Sequence, residues 1–151
     1  MKPLILLLIC FLLASVGICI YEGTWNAPLA GTVAMAIMLL FTGAAHFRFT
    51  TGMTAMLPAF IPSRKAIVYA TGIFEIVAAA GLLCSNISVP VAWSLIVFFV
   101  LVLPANIYAA LQKINYENPN GKGPSARYLW FRVPLQLFFI AWVYFFSVVN
   151  H

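Results

Sequence analysis

Long runs of apolar residues, separated by shorter polar stretches, dominate the pattern along the chain. Five runs are long enough to cross a bilayer, because a hydrocarbon core of roughly 30 Å needs about 20 helical residues. Strict alternation of apolar and polar positions, which would indicate the strands of a membrane barrel, does not occur. The pattern therefore predicts an all-α, polytopic membrane helix bundle in a single domain, with spans at residues 3–21, 29–47, 66–84, 89–111 and 131–149.

The composition supports an integral membrane protein whose first partner is the lipid bilayer. Hydrophobic residues make up 64% of the chain and charged residues 7%, whereas soluble domains carry about 25% charged residues. The net charge of +5 does not indicate nucleic-acid binding, because the basic residues are scattered among the connections and form no stripe.

The positions of the basic residues predict the orientation in the membrane. All eight lysines and arginines lie before the first run or in and beside the second and fourth connections, and the first and third connections contain none. Since positive charge collects on the cytoplasmic side, five spans with a cytoplasmic N-terminus place every basic residue there and the C-terminus outside. We expect the location to be a bacterial inner membrane.

The first run also resembles a signal peptide. Lys2 would be its basic start, and residues 14–17 are small enough for a cleavage region. The apolar stretch is longer than a usual signal sequence, however, and no clear Ala-x-Ala site closes it. We therefore favour a retained helix over residues 3–21 and keep cleavage as the alternative.

The cysteines and histidines predict no metal site. Cys10, Cys19 and Cys84 form no Cys-x-x-Cys pair, and His46 and His151 do not supply a zinc spacing. Under the proposed topology Cys19 and Cys84 lie at similar depth near the outer face, where a disulfide could form. We favour the alternative that both are thiols that pack as small apolar side chains.

Strongly polar side chains within the spans are the candidate functional residues. With a rise of about 1.5 Å per residue, all of them fall in the cytoplasmic half or near the midplane of the membrane. Polar groups at this depth are costly and commonly mark functional sites. We expect them to line one polar ligand-binding pocket, to which a tyrosine on the fourth span could add a hydroxyl. The candidates are His46, Glu75, Asn106, Tyr108, Arg132 and Gln136.

Glu75 is the deepest of these residues. A carboxyl group in hydrocarbon must be either neutral or paired, and Gly72 and Ala79 on the same helix face would let another helix approach closely. We expect Glu75 to face the bundle interior and take one of the other polar residues as its partner, with Arg132 able to form a bidentate pair. Alternatively, the polar residues only hold the helices together, and Arg132 anchors its helix at the interface.

The long second connection, residues 48–65, contains Pro58 and Pro62, which prevent one continuous helix. A short helix lying in the membrane interface is the first expectation. The alternative is a lid over the polar pocket.

Several motifs in order resemble the DoxX-like membrane proteins. They are "FTGAAHF", the loop and helix "MLPAFIPSRKAIVYATGIFEIVAAAGLL", "VLPANIYAAL" and "RVPLQLFFIAWVYFF". The resemblance extends over about residues 30–149 and implies a four-helix membrane bundle, so that residues 3–21 form an extra N-terminal helix. It also implies a link to thiosulfate:quinone oxidoreduction or to thiol and oxidative-stress systems.

The sequence and this resemblance leave three functions open. The first is a subunit that binds a quinone-like or lipid-like molecule and works with a redox partner protein, because no cofactor motif is evident in the chain. The second is a small proton-coupled transporter that uses Glu75, with oligomer formation compensating for the small number of spans. The third is a structural assembly subunit without a ligand. A stand-alone enzyme is the least supported.

Overall fold

The computed structural model describes residues 2–112 and 129–150, except for the side chains of Ala110, Leu129, Trp130 and Arg132. Every regular element in these residues is helical. The helices are α1 (Lys2–Glu22), α2 (Ala27–Arg48), α3 (Thr50–Ala55), α4 (Arg64–Leu82), α5 (Ser88–Leu111) and α6 (Leu129–Tyr144), and α6 continues into a π turn at Phe145–Val149.

Four helices are long and apolar enough to cross a membrane, namely α1, α2, α4 and α5. Their ends lie within two residues of the predicted span ends, which confirms four of the predicted spans as long apolar helices. The apolar stretch at the end of the chain, Val133–Val149, is shorter, so the fifth span stays a prediction.

Helix α2 lies at the centre of the bundle and packs against α1, α4 and the π turn. Asn26 caps its start, because the Asn26 side-chain oxygen accepts a hydrogen bond from the Leu29 backbone N–H at 3.1 Å, and Pro28 lies in the first turn. Both features favour a helix start. The buried apolar residues of α2 form much of the core and include Ala34, Met35, Ala36, Met38 and Leu39.

The end of α6 and the π turn that follows it are joined to the start of α2. The Trp142 indole N–H donates to the Gly31 carbonyl at 3.0 Å, and the Phe146 ring lies directly against Gly31, where a Cβ atom would clash with it. The hydroxyl groups of Thr32 and Ser147 are 3.1 Å apart in a buried contact. This end of the bundle is therefore held by both hydrogen bonds and aromatic packing.

The second connection contains the expected short helix, α3, which packs against α2 and α4. The Arg64 guanidinium donates to the Leu57 carbonyl at 3.4 Å and holds the rest of the connection to the start of α4. All three cysteines are free thiols, and Cys84, between α4 and α5, is exposed.

Candidate functional site

Two glycines bring α2 and α4 into close contact. A Cβ atom on Gly72 would lie 2.7 Å from the His46 Cβ and 3.1 Å from the Gly43 carbonyl oxygen. A Cβ atom on Gly43 would lie 3.0 Å from the Gly72 carbonyl oxygen and 2.8 Å from the side chain of Ile76. Small residues at a helix crossing allow such an approach between membrane helices. The crossing therefore brings His46 of α2 against the face of α4 that carries Glu75.

His46 and Glu75 form a polar pair across this crossing. The His46 Nδ1 atom is 3.7 Å from the Glu75 Oε2 atom, and the same Nδ1 atom is 2.8 Å from the Thr42 carbonyl oxygen. Only the second distance is within the usual hydrogen-bond range. The ring is thus bonded to its own helix while it faces the carboxyl group of the neighbouring helix. One turn further on, the Thr50 hydroxyl of α3 donates to the His46 carbonyl at 2.7 Å.

The Glu75 side chain is buried with unused hydrogen-bonding capacity. The residue is 6% exposed, and its Oε2 atom is buried without a hydrogen-bond partner in the described part of the chain. The Thr42 hydroxyl lies beside the carboxyl group, but it bonds to the Met38 and Leu39 carbonyls at 3.1 and 3.2 Å. Because a hydroxyl has one proton, it can turn toward Glu75 only by giving up those bonds.

Two aromatic rings flank the pair on its outer side. Phe47 and Tyr69 stack with ring centroids 5.6 Å apart and an interplanar angle of 27°, and both are more than 40% exposed. The Cβ position of Gly72 lies 3.2 Å from the Phe47 Cε2 atom as well as against His46. Phe47 and His46 therefore meet at the same glycine.

A second polar pair joins α5 to α6. The Asn106 side-chain amide donates to the Gln136 Oε1 atom at 2.7 Å, and the Gln136 amide donates to the Phe99 carbonyl at 2.7 Å. Pro104 lies inside α5 between these two α5 positions. Gln136 is 8% exposed, and both atoms of its amide are bonded. This arrangement links two helices and leaves the Gln136 amide satisfied.

A cavity of about 260 Å³ opens near the start of α2, the end of α4 and the π turn. Several of its polar lining groups already have protein partners. Asn26 caps α2, Thr32 is bonded at Ser147, and the Asn150 amide donates to the Phe145 carbonyl at 2.7 Å. These three side chains therefore already form hydrogen bonds within the protein.

A family model described as a domain of unknown function, DUF8561, matches residues 35–147, most of the chain. The chain belongs to the DUF8561 family. The matched region of this DUF8561 protein contains both polar pairs and leaves out α1. Comparison with curated proteins gives no match, and comparison with solved structures gives none either.

In this DUF8561 protein the candidate residues are brought together as two pairs, His46 with Glu75 and Asn106 with Gln136. Tyr108 lies on α5 and is half-buried. The side chain of Arg132 is outside the described residues, so its pairing with Glu75 and a pocket shared by all six candidates stay predictions. No group of three or more potential metal ligands occurs among the described residues.

The site residues predicted from the sequence of this DUF8561 protein do not include Thr42, Gly43 or Phe47. Thr42 is four residues before His46, the spacing at which a side chain meets the carbonyl of the preceding turn. Gly43 is three residues before His46 and so lies on the same helix face. These spacings could have indicated the crossing, although they do not show which helix crosses there.

Proposed function

We propose that this protein is a membrane-embedded subunit that binds a small aromatic redox molecule of the quinone class at the His46–Glu75 pair. The observation that carries the proposal is the Glu75 Oε2 atom, which is buried beside an imidazole and has no hydrogen-bond partner among the described residues. Buried polar groups nearly always have partners. A buried polar group without a partner lowers the stability of the fold by about 1–3 kcal/mol. This cost favours a functional role for Glu75.

The two polar pairs differ in this respect. Gln136 uses both atoms of its amide within the protein, which suits a group that holds helices together. The Glu75 Oε2 atom has no hydrogen-bond partner among the described residues. The imidazole of the facing His46 bonds to the Thr42 carbonyl oxygen and not to Glu75. We therefore assign ligand binding to the His46–Glu75 pair and helix positioning to Asn106 and Gln136.

The surroundings of His46 fit a ring-shaped ligand. Its side chain is 17% exposed, compared with 8% for that of Glu75, so a molecule that approaches from the lipid meets the imidazole first. Phe47 and Tyr69 present aromatic surface beside it, and offset stacking between rings contributes about 0.5–1.5 kcal/mol. A ligand ring would stack there and hydrogen-bond to His46, while Glu75 accepts or returns a proton through the imidazole.

The proposal places this site in the cytoplasmic half of a bacterial inner membrane. It rests on five spans with the N-terminus inside, which is the orientation that the basic residues favour. In this arrangement α2, α4, α5 and α6 form a DoxX-like four-helix core, and α1 is the additional helix. Tyr108 and Arg132 are further proposed lining residues. The sequence has no cofactor motif, so electrons would be exchanged through a redox partner protein.

A proton-coupled transporter is the second candidate. It is favoured by the presence of two titratable side chains, His46 and Glu75, on facing helices of the bundle, since intramembrane carboxyl groups often carry protons in transporters. Formation of a homo-oligomer would supply the additional spans. Uptake into liposomes driven by a proton gradient would favour this function, and ligand binding without uptake would favour the first.

The test of the proposed function is mass spectrometry of small molecules that copurify with the protein after mild detergent extraction. The informative variant is Glu75→Gln, which keeps the side-chain size and removes the titratable group. The matched control is Thr32→Val, which removes a polar group from α2 about 20 Å along the helix from His46. We expect a quinone-class molecule in the wild type and the control, and its loss in Glu75→Gln. Equal amounts in all three proteins, or none in the wild type, would overturn the proposal.

A further inference from the structure

The hydrogen bond of His46 determines which redox form of a quinone-class ligand the site can accept. We propose that the site binds the reduced, hydroquinone form in preference to the oxidised quinone. This inference rests on the proposed function, and it concerns the direction of one hydrogen bond, between the ligand and the His46 Nε2 atom.

The Nδ1 atom of His46 is bonded to its own helix. Its partner at 2.8 Å is the backbone carbonyl oxygen of Thr42, and a carbonyl oxygen can only accept a hydrogen bond. The Nδ1 atom must therefore carry the proton that it donates. Because the acceptor is a main-chain atom of the preceding helical turn, this bond is independent of any side chain that surrounds the ring.

The distance between His46 and Glu75 indicates the charge of the imidazole ring. A protonated imidazole beside an ionised carboxyl group is expected to form a charge-assisted bond of about 2.7–2.9 Å. The Glu75 oxygen is instead 3.7 Å from Nδ1, and the Nδ1–H points to a neutral carbonyl. The pair thus has the geometry of a neutral imidazole, in which one ring nitrogen donates and the other accepts.

The proton on Nδ1 determines the state of the Nε2 atom. In a neutral ring with the proton on Nδ1, Nε2 presents a lone pair and no hydrogen. Within the part of the chain that the structure describes, Nε2 has no hydrogen-bond partner, and the ring bonds through Nδ1. A ligand at this position must therefore donate a hydrogen bond. A hydroquinone hydroxyl can do so, whereas a quinone carbonyl would place its lone pairs against that of Nε2.

The flanking residues are compatible with this ligand class. The rings of Phe47 and Tyr69 can stack on either redox form, so they contribute affinity without distinguishing the two. We therefore assign the difference in affinity between hydroquinone and quinone to His46 alone. Loss of the histidine is expected to remove the preference between redox forms and to retain the stacking.

The experiment compares binding of decylubiquinol and decylubiquinone to the full-length protein in lipid nanodiscs under anaerobic conditions. One neutral hydrogen bond contributes about 0.5–1.5 kcal/mol, so we expect the reduced form to bind roughly two- to tenfold more tightly. In His46→Gln the side-chain amide can offer either a donor or an acceptor, and the two forms should bind with equal affinity. Thr32→Val, as the matched control, should keep the wild-type preference.

A second measurement does not depend on the folding of a His46 variant. The chain has two histidines, so His151→Ala leaves His46 as the only source of imidazole signals. Nitrogen NMR of this protein, labelled at histidine, should show the Nδ1–H tautomer and a shift of the Nε2 resonance when decylubiquinol is added.

The outcomes separate the inference from the proposed function. Tighter binding of the reduced form together with an Nδ1–H tautomer supports the inference. Equal or tighter binding of the quinone by the wild type, or an Nε2–H tautomer, overturns the inference and leaves the proposed function standing. Absence of binding by both forms overturns the proposed function and the inference with it.

Discussion

Replacement of Gly72 by alanine tests the α2–α4 crossing without adding charge or polarity. The new methyl group would lie 2.7 Å from the His46 Cβ atom and 3.1 Å from the Gly43 carbonyl oxygen. Carbon atoms prefer separations of about 3.5–4.0 Å, so the helices would have to move apart by about 1 Å. Neither contact atom is the end of a flexible side chain, which leaves movement of a backbone as the main means of relief.

Overpacking of this kind costs about 1–3 kcal/mol. For a chain of this size, each kcal/mol lowers the midpoint of thermal unfolding by roughly 2–4 °C. The same movement increases the 3.7 Å separation between His46 and Glu75, so ligand binding at the pair should weaken as well. We expect Gly72→Ala to show both losses in detergent solution, as measured by thermal unfolding and by the amount of copurified ligand.

The matched control is Gly17→Ala in α1, because a Cβ atom there has no neighbour within 4 Å. Alanine is favoured over glycine within a helix by about 1 kcal/mol, so this variant should be at least as stable as the wild type. Equal unfolding midpoints for Gly72→Ala and Gly17→Ala would contradict this prediction, since the close crossing would then contribute nothing to stability.

Further predictions concern the second polar pair, the π turn and the topology. Gln136→Leu should lower stability by about 1 kcal/mol, because it removes the bonds that join Gln136 to the Asn106 amide and to the Phe99 carbonyl, and thermal unfolding should show this while ligand binding is retained. Thr32→Val removes the contact with Ser147 and should cost about 0.6 kcal/mol, the average for hydrogen bonds between membrane helices; an unchanged midpoint would mean that this contact adds no net stability. Cys84 is exposed and should react with a membrane-impermeant maleimide added outside intact cells, whereas labelling only after lysis would reverse the proposed orientation.

The lengths and ends of the long helices could be predicted from the sequence because the bilayer sets them. A span needs about 20 apolar residues, and turn-forming residues such as Asn26 and Pro28 mark where α2 begins. The π turn at Phe145–Val149 could not be predicted, since "FFSVV" carries no local signal that separates it from a regular helix. Its geometry depends on Gly31 and Thr32, which are distant in sequence.

The face of α4 that enters the bundle was also predictable. Gly72 and Ala79 were expected to mark a packed face that includes Glu75, and all three are buried. The partner of Glu75 was not predictable, because every apolar helix offers a similar surface to its neighbours. The choice of His46 depends on the register in which Gly43 meets Gly72, and helical periodicity within one segment does not determine the register between two.

The sequence places the polar candidates in one group, because they share a depth in the membrane. The structure separates Gln136 from Glu75 by whether each side chain has its hydrogen bonds made within the protein. Gln136 can donate and accept, and the structure gives it a partner for each role. Glu75 has an oxygen without a partner among the described residues, and the Nδ1–H of the facing His46 donates to the Thr42 carbonyl instead. Rotation of the imidazole toward Glu75 would break that bond. A ligand or a proton from outside the helix pair would supply the missing partner of Glu75 and leave the bond between His46 and Thr42 in place.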